Sequence, residues 1–97
     1  MYANINRRTR NDARMQETGE IAQKEFFPKR KQAQGFVSFY VIAEEGGNVA
    51  ISFWESKADA DAFRAEAESW GKTLEAHGHH QQSTSGGEVR QHFTADK

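Results

Sequence analysis

Two amides near the start of the chain and one imidazole further on are the side chains whose types could do chemistry. Asn4 and Asn6 are two residues apart in the segment YANIN, so both amides would lie on one face of a strand. His77 ends a run of apolar residues at helical spacing. Amides donate and accept hydrogen bonds, and imidazole exchanges a proton near neutral pH. Together these groups could hold a polar ligand and accept its proton.

Each of these side chains also has a purely structural interpretation. Asn4 and Asn6 could solvate the edge of a sheet, and His77 could be favoured by the negative end of a helix dipole. His77, His79 and His80 lie close enough in the sequence to suggest a metal site, but they lie at a helix end that leads into a polar loop. Metal sites usually draw ligands from rigid, converging elements, so we expect no metal here.

The elements that must position these residues follow from the hydrophobic periodicity. Residues 2–6 alternate as a short strand, and Thr9 or Asn11 can cap a helix that runs to about Phe26 and ends or kinks at Pro28. Two β-rich runs between residues 35 and 56 flank the turn EEGGN, which predicts a hairpin. Both runs are apolar on their two faces, so this sheet should be covered on both sides.

The second half of the chain predicts a helix and a final strand. Ser56 and Asp59 form a capping pattern, and Gly78 is a plausible helix stop. HHQQSTSGG is predicted to be a polar, flexible connection, and GEVRQHFTA resumes alternation as a last strand. The apolar stripe of the helix consists of Phe63, Ala67, Trp70, Leu74 and His77.

The order β-α-β-β-α-β predicts a ferredoxin-like α+β sandwich, with a four-stranded antiparallel sheet and both helices on one face. Its 97 residues allow one domain, 1–97. The helix-free face would be apolar, and a second copy of the same sheet is the simplest cover for it. The pattern therefore predicts a homodimer.

Composition argues against several other functions. The net charge of −1 favours neither nucleic acid nor an anionic membrane surface, and the absence of cysteine excludes disulfides and thiolate chemistry. Basic clusters at residues 7–10 and 29–31 are interpreted as solvated loop ends, with an anion-binding patch as the alternative. No apolar run is long enough to span a membrane, and residues 1–10 lack the apolar core of a secretion signal, so we expect a cytoplasmic protein.

The segment AISFWESKADADAF, with the asparagine-bearing first strand and the run GFVSFYVI, resembles the antibiotic biosynthesis monooxygenase family of the dimeric α+β barrel superfamily. The resemblance runs from Tyr2 to Phe93, and its most specific part is the stretch FWESK at residues 53–57. It implies a homodimer with sheets packed face to face and a pocket between sheet and helices in each subunit. The family includes cofactor-independent monooxygenases of polycyclic phenols, oxidases of small quinols and haem-degrading enzymes.

The resemblance implies a cofactor-independent monooxygenase or quinol oxidase with a small aromatic substrate. A group that holds the substrate phenolate is then needed, together with aromatic walls that exclude water. The candidate catalytic residues are Asn4, Asn6 and His77, and the candidate substrate-binding residues are Phe26, Trp54, Phe63 and Trp70. The alternative is a non-catalytic homodimer that binds a small ligand, with these aromatic side chains serving as core.

Haem degradation is disfavoured within the same resemblance. The haem-degrading branch uses a strand asparagine, a helix tryptophan and a helix histidine. Asn6 matches the asparagine, but Phe63 and Thr73 stand where the tryptophan and the histidine are expected. His77 lies one helical turn beyond that position.

Overall fold

The computed structural model describes residues 1–96 of the 97-residue chain. One antiparallel sheet has the strand order β2-β3-β1-β4, with helical segments between β1 and β2 and between β3 and β4. This order confirms the predicted ferredoxin-like α+β fold. The strands are β1 (Tyr2–Thr9), β2 (Phe36–Glu44), β3 (Gly47–Trp54) and β4 (Gln81–Glu88).

The first helical region extends beyond the predicted end near Phe26. After a 3₁₀ turn at Asp12–Arg14, it consists of α1 (Met15–Ile21), a π-helical turn (Ala22–Phe26) and α2 (Phe27–Lys31). Pro28 does not end the helix, because it lies in the first turn of α2, where its missing N–H is tolerated. The π turn directly before it interrupts the regular α-helical hydrogen bonding.

The predicted hairpin between β2 and β3 is confirmed. Glu44 pairs with Gly47, which leaves a two-residue turn, and Gly46 there has φ +74°. Glycine accepts this left-handed conformation without the steric cost of a Cβ atom. Arg10 braces the turn, since its Nη1 donates to the carbonyls of Glu44 at 2.8 Å and Gly47 at 2.6 Å.

The strand-to-helix junction after β3 also follows the prediction. The backbone N–H of Asp59 donates to Ser56 Oγ at 3.1 Å, which caps α3 (Lys57–Ala62). Phe63 interrupts the helix before it resumes as α4 (Arg64–Ala76). Gly78, with φ +83°, follows the C-terminal end of α4, as the sequence predicts.

The prediction of the last strand is wrong. β4 lies in the segment predicted as a flexible connection, whereas residues 89–96 have no regular secondary structure, and Phe93 is 90% exposed. β4 is an edge strand held by backbone pairing to β1, and all its side chains are exposed. Such a strand needs no apolar alternation, so periodicity could not reveal it.

The two faces of the sheet have different surroundings. On the helix side, the buried core consists of Phe26, Trp54, Ala60 and Phe63. The opposite face, here called the open sheet face, carries Ile5, Tyr40, Ile42, Ile51 and Phe53. Tyr40 is 55% exposed and Ile42 is 47% exposed. Among residues 1–96, no helix has the length and apolar character needed to cross a bilayer.

Candidate functional site

A cavity of about 820 Å³ lies between the sheet and the helices. Its lining includes both predicted amides and all four predicted aromatic residues: Asn4, Asn6, Phe26, Trp54, Phe63 and Trp70. The fold therefore brings together side chains from β1, β3, α4 and the two interruptions at the π turn and Phe63. His77 is not part of this lining.

The sheet forms a polar floor for the cavity. Asn4 lies opposite Ser52 and Asn6 lies opposite Ala50, so the amides of β1 share a face with the small side chains of β3. Both amides are half-buried. Gly86 of β4 packs closely against this floor, since a Cβ atom there would lie 2.8 Å from Asn4 Oδ1. The floor thus offers hydrogen-bonding groups to the cavity above it.

The helices and the end of β3 supply an aromatic wall. Phe26 and Trp70 stack with ring centroids 5.1 Å apart and an interplanar angle of 11°. Phe63 packs on Phe26 at 5.7 Å and on Trp54 at 5.3 Å. These contacts fix the rings relative to one another, so this side of the cavity is preformed and apolar.

The two tryptophans have different roles in this wall. Trp54 is 1% exposed, and its Nε1–H donates to Ser52 Oγ at 3.1 Å. Its polar group is therefore satisfied inside the core, as the structural interpretation of this residue requires. Trp70 is only partly buried and lines the cavity beside Phe26, so its ring can contact a bound molecule.

His77 occupies a position unsuited to chemistry in the cavity. Its Nδ1 lies 2.8 Å from the Thr73 carbonyl oxygen, and its Nε2 lies 3.5 Å from Glu17 Oε1. Both ring nitrogens thus face the backbone of α4 and a residue of α1. The helical stripe placed His77 correctly at the end of α4, but α4 presents it to α1 rather than to the sheet floor.

His79, which the sequence analysis did not select as a site residue, lies in the cavity lining and is 3% exposed. The Asn11 backbone N–H donates to its Nδ1 at 3.2 Å. Because Nδ1 accepts, Nε2 carries the proton and donates to Thr18 Oγ1 at 2.9 Å. Thr18 in turn donates to the Arg14 carbonyl oxygen at 2.9 Å. His79 is thereby held as a neutral imidazole that ties the start of α1 to the chain before β4.

Burial is the main cause that lowers the pKa of His79 below its ordinary value. A backbone hydrogen bond involving Thr9 acts in the opposite direction, while the nearby charges of His77, Arg8 and Arg14 lower the pKa further. Both nitrogens are already engaged within the protein. His79 is therefore a structural member of the cavity lining and is not placed to act as a base.

The three imidazoles near the end of α4 do not converge. His80 Nδ1 lies 3.0 Å from Glu75 Oε2, whereas His77 and His79 face α1 from different positions. In residues 1–96, no group of three histidine, cysteine or acidic side chains is arranged to hold a metal ion.

Arg30 is the second residue of the lining that the sequence analysis did not select. Its side chain was interpreted as part of a solvated basic cluster, but it is 8% exposed and its guanidinium lies against aromatic rings. The available sequence signal was its spacing of four residues from Phe26, which places both on one helical face.

Comparison with known proteins supports the fold through structure. No family model matches the chain, and no curated protein matches it either. A solved structure from Deinococcus radiodurans, named as a candidate antibiotic biosynthesis monooxygenase, is similar with a TM-score of 0.73 and 12% identity over 100% of both chains. SnoaB, a cofactor-independent oxygenase from Streptomyces nogalater, has a TM-score of 0.66 and 19% identity over 97% of both chains.

A dimeric ferredoxin-like protein from an uncultured marine organism is also similar, with a TM-score of 0.68 and 11% identity over 97% of this chain and 98% of that chain. At these identities the likeness concerns the fold. The chain therefore has the fold shared by the antibiotic biosynthesis monooxygenases and this dimeric ferredoxin-like protein.

Proposed function

We propose that the protein is a cofactor-independent monooxygenase or quinol oxidase that acts on a small aromatic substrate in the sheet-helix cavity. The observation that carries this proposal is the division of the cavity into an amide floor at Asn4 and Asn6 and an aromatic wall at Phe26 and Trp70. A phenolic ring is matched to such a space, because its faces are apolar and its oxygen atoms accept or donate hydrogen bonds. The fold shared with SnoaB supports the same reaction class.

The substrate supplies all the electrons in this chemistry. A hydroquinone loses two electrons and two protons to dioxygen, which gives the quinone and hydrogen peroxide. An anthrone-type methylene becomes a carbonyl with one oxygen atom of dioxygen, while the other oxygen atom leaves with the two hydrogens as water. In both reactions an electron-rich anion of the substrate reacts. The amide N–H groups of Asn4 and Asn6 would stabilise this anion, and the wall would exclude water around it.

The first experiment measures oxygen uptake by the purified protein with hydroquinone and anthrone, without added flavin or metal. We expect uptake above the uncatalysed rate, and Asn6→Leu should lower kcat about a hundredfold, because a donor to the developing oxyanion is lost. Gln91→Leu makes the same amide-to-leucine change at an exposed residue outside the elements and should leave kcat unchanged.

Two results would count against the proposal. Absence of uptake with every probe would leave the non-catalytic ligand-binding homodimer as the better interpretation of the cavity. Uptake that is equally fast in Asn6→Leu would show that the chemistry takes place away from the sheet floor.

We further propose that two copies of the chain pack through the open sheet face. Ile5, Tyr40, Ile42, Ile51 and Phe53 form a continuous apolar surface that neither helical region covers. Such a surface is costly to leave in water, and a second sheet of the same kind is complementary to it. The likeness to a protein described as dimeric and ferredoxin-like supports this arrangement.

Sedimentation equilibrium at micromolar concentration tests the dimer. The wild-type chain should sediment as a dimer, and Ile42→Lys should shift it toward the monomer, because each subunit would bring a charge to the apolar interface. Gln23→Lys adds the same charge at an exposed position of the π turn and should not change the mass. A wild-type monomer would contradict the proposal.

A further inference from the structure

Arg30 places a buried, positively charged guanidinium in the wall of the cavity. Its side chain is 8% exposed, and it lines the 820 Å³ cavity. Within residues 1–96, its Nε and Nη1 atoms are buried and have no hydrogen-bond partner. These two atoms carry three N–H donors, and buried donors without acceptors are rare in folded proteins because each is costly.

Aromatic rings replace water around this guanidinium. Its Cζ atom lies 4.0 Å from the Phe39 ring centroid, 4.6 Å from that of Phe26 and 5.4 Å from that of Phe63. Ring faces attract a cation, but they do not accept the hydrogen bonds of its edge. The rings therefore hold the group in place while leaving its donors unused.

Two neighbouring cations have the acceptors that the buried donors of Arg30 lack within residues 1–96. Arg8, on the sheet floor of the cavity, donates to the His79 carbonyl oxygen at 3.0 Å and lies 3.6 Å from Glu75 Oε2. Lys29 Nζ lies 3.4 Å from Glu66 Oε2. Burial lowers the pKa of Arg30 to about 10, so the guanidinium is still charged at neutral pH.

We infer that Arg30 binds the carboxylate of an aromatic carboxylic acid whose ring occupies the cavity beside Phe26 and Trp70. The two oxygen atoms of a carboxylate can accept from separate N–H groups, and this planar anion matches the planar fork of arginine. A single phenolate oxygen would leave more of these donors unpaired.

Arg30 borders two cavities, and we expect the aromatic ring of the ligand to occupy the larger one. The second cavity beside it measures about 310 Å³, and Phe27, Phe36 and Phe39 line it. The amide floor and the exposed part of Trp70 belong only to the larger cavity. The inference deepens the proposed function by naming the substrate class, although it concerns binding and requires no turnover.

The test compares 2-naphthoate with its neutral isostere 2-naphthamide by isothermal titration calorimetry under argon. The wild-type protein should bind the naphthoate at least about tenfold more tightly than the amide, as expected for hydrogen bonds to a charged partner. Equal affinities, or no naphthoate binding, would overturn the inference. This comparison needs no variant and is unaffected by the folding of one.

Arg30→Met supplies the second arm, since methionine fills a similar volume without charge. The variant should lose the preference for naphthoate over naphthamide, which is read as the ratio of the two affinities. Its melting temperature without ligand should be equal to or higher than that of the wild type, because an unpaired buried charge is removed. Arg30→Lys keeps the charge without the planar fork and should retain only part of the preference.

A preference for naphthoate that survives in Arg30→Met would overturn the assignment to Arg30. The outcome is separable from that of the oxygen-uptake experiment. Naphthoate binding through Arg30 without any oxygen uptake would refute the oxygenase proposal alone. Oxygen uptake by a protein that binds naphthoate and naphthamide equally well would refute this inference alone.

Discussion

Trp54→Ala is expected to lower the free energy of unfolding by about 3–5 kcal/mol, which is a large part of the stability of a domain this small. Trp54 is the largest fully buried side chain of the described residues, with 1% exposure. Its ring packs against Phe63 at 5.3 Å and Phe36 at 5.6 Å. Its removal leaves a cavity that the surrounding rings cannot fill completely. It also removes the N–H that donates to the buried Ser52 Oγ.

Urea unfolding monitored by circular dichroism measures this loss, and Trp70→Ala is the matched control. Trp70 undergoes the same chemical change but is only partly buried, so its loss of stability should be clearly smaller. Equal losses of stability in the two variants would contradict the assignment of Trp54 to the buried core and of Trp70 to the part of the wall that a ligand can contact.

His79→Ala is expected to destabilise the protein by about 3 kcal/mol at pH 8. The substitution leaves the Asn11 N–H and the Thr18 hydroxyl without their partner in a buried position. It also removes the link between the start of α1 and the chain before β4. His80→Ala removes an exposed imidazole whose Nδ1 lies 3.0 Å from Glu75 Oε2, outside this network, and should change stability by less than about 0.5 kcal/mol.

The same network predicts how stability depends on pH. The folded-state pKa of His79 is lowered from 6.5, so between the two pKa values the unfolded chain binds more protons than the folded one. The contribution of the neutral imidazole is therefore complete above pH 6.5 and is lost as the pH falls through that value toward the folded-state pKa. Protonation would also turn Nδ1 into a donor facing the Asn11 N–H.

Chemical denaturation at several pH values from 8 to about 5 measures this dependence. The wild-type protein should lose stability steadily below pH 6.5, and His79→Gln should show a flatter profile. An unchanged slope in His79→Gln would mean that other groups account for the acid sensitivity.

The sequence was sufficient for the fold wherever side chains determine the element. The turn at Gly46 and the cap at Ser56 could be predicted because glycine favours tight turns and serine favours helix N-caps. β4 had no such marker, because its position depends on backbone pairing with β1 and its side chains remain in solvent. The alternation around Phe93 looked like a strand, yet this ring is 90% exposed.

The candidate site shows the same division between local pattern and tertiary placement. Asn4 and Asn6 could be assigned to one face of β1 because strand periodicity is simple and the sheet fixes that face. His77 and His79 could not be told apart by periodicity, since the chain leaves the helix between them at Gly78. The burial of Arg30 depends on the rings of Phe39 in β2 and Phe63 between α3 and α4, which helical spacing around Arg30 does not reveal.

The π turn at Ala22–Phe26 joins α1 to α2 and is the point where the first helical region departs from regular α-helical geometry. A π turn accommodates one residue more than the α-helical turn that it replaces, so deleting one residue there would restore continuous α-helical hydrogen bonding and leave Thr18 on the side of His79. The same deletion inside α4 would rotate the rest of that helix by about 100°. A one-residue deletion in the π turn should therefore be tolerated far better than one within α4.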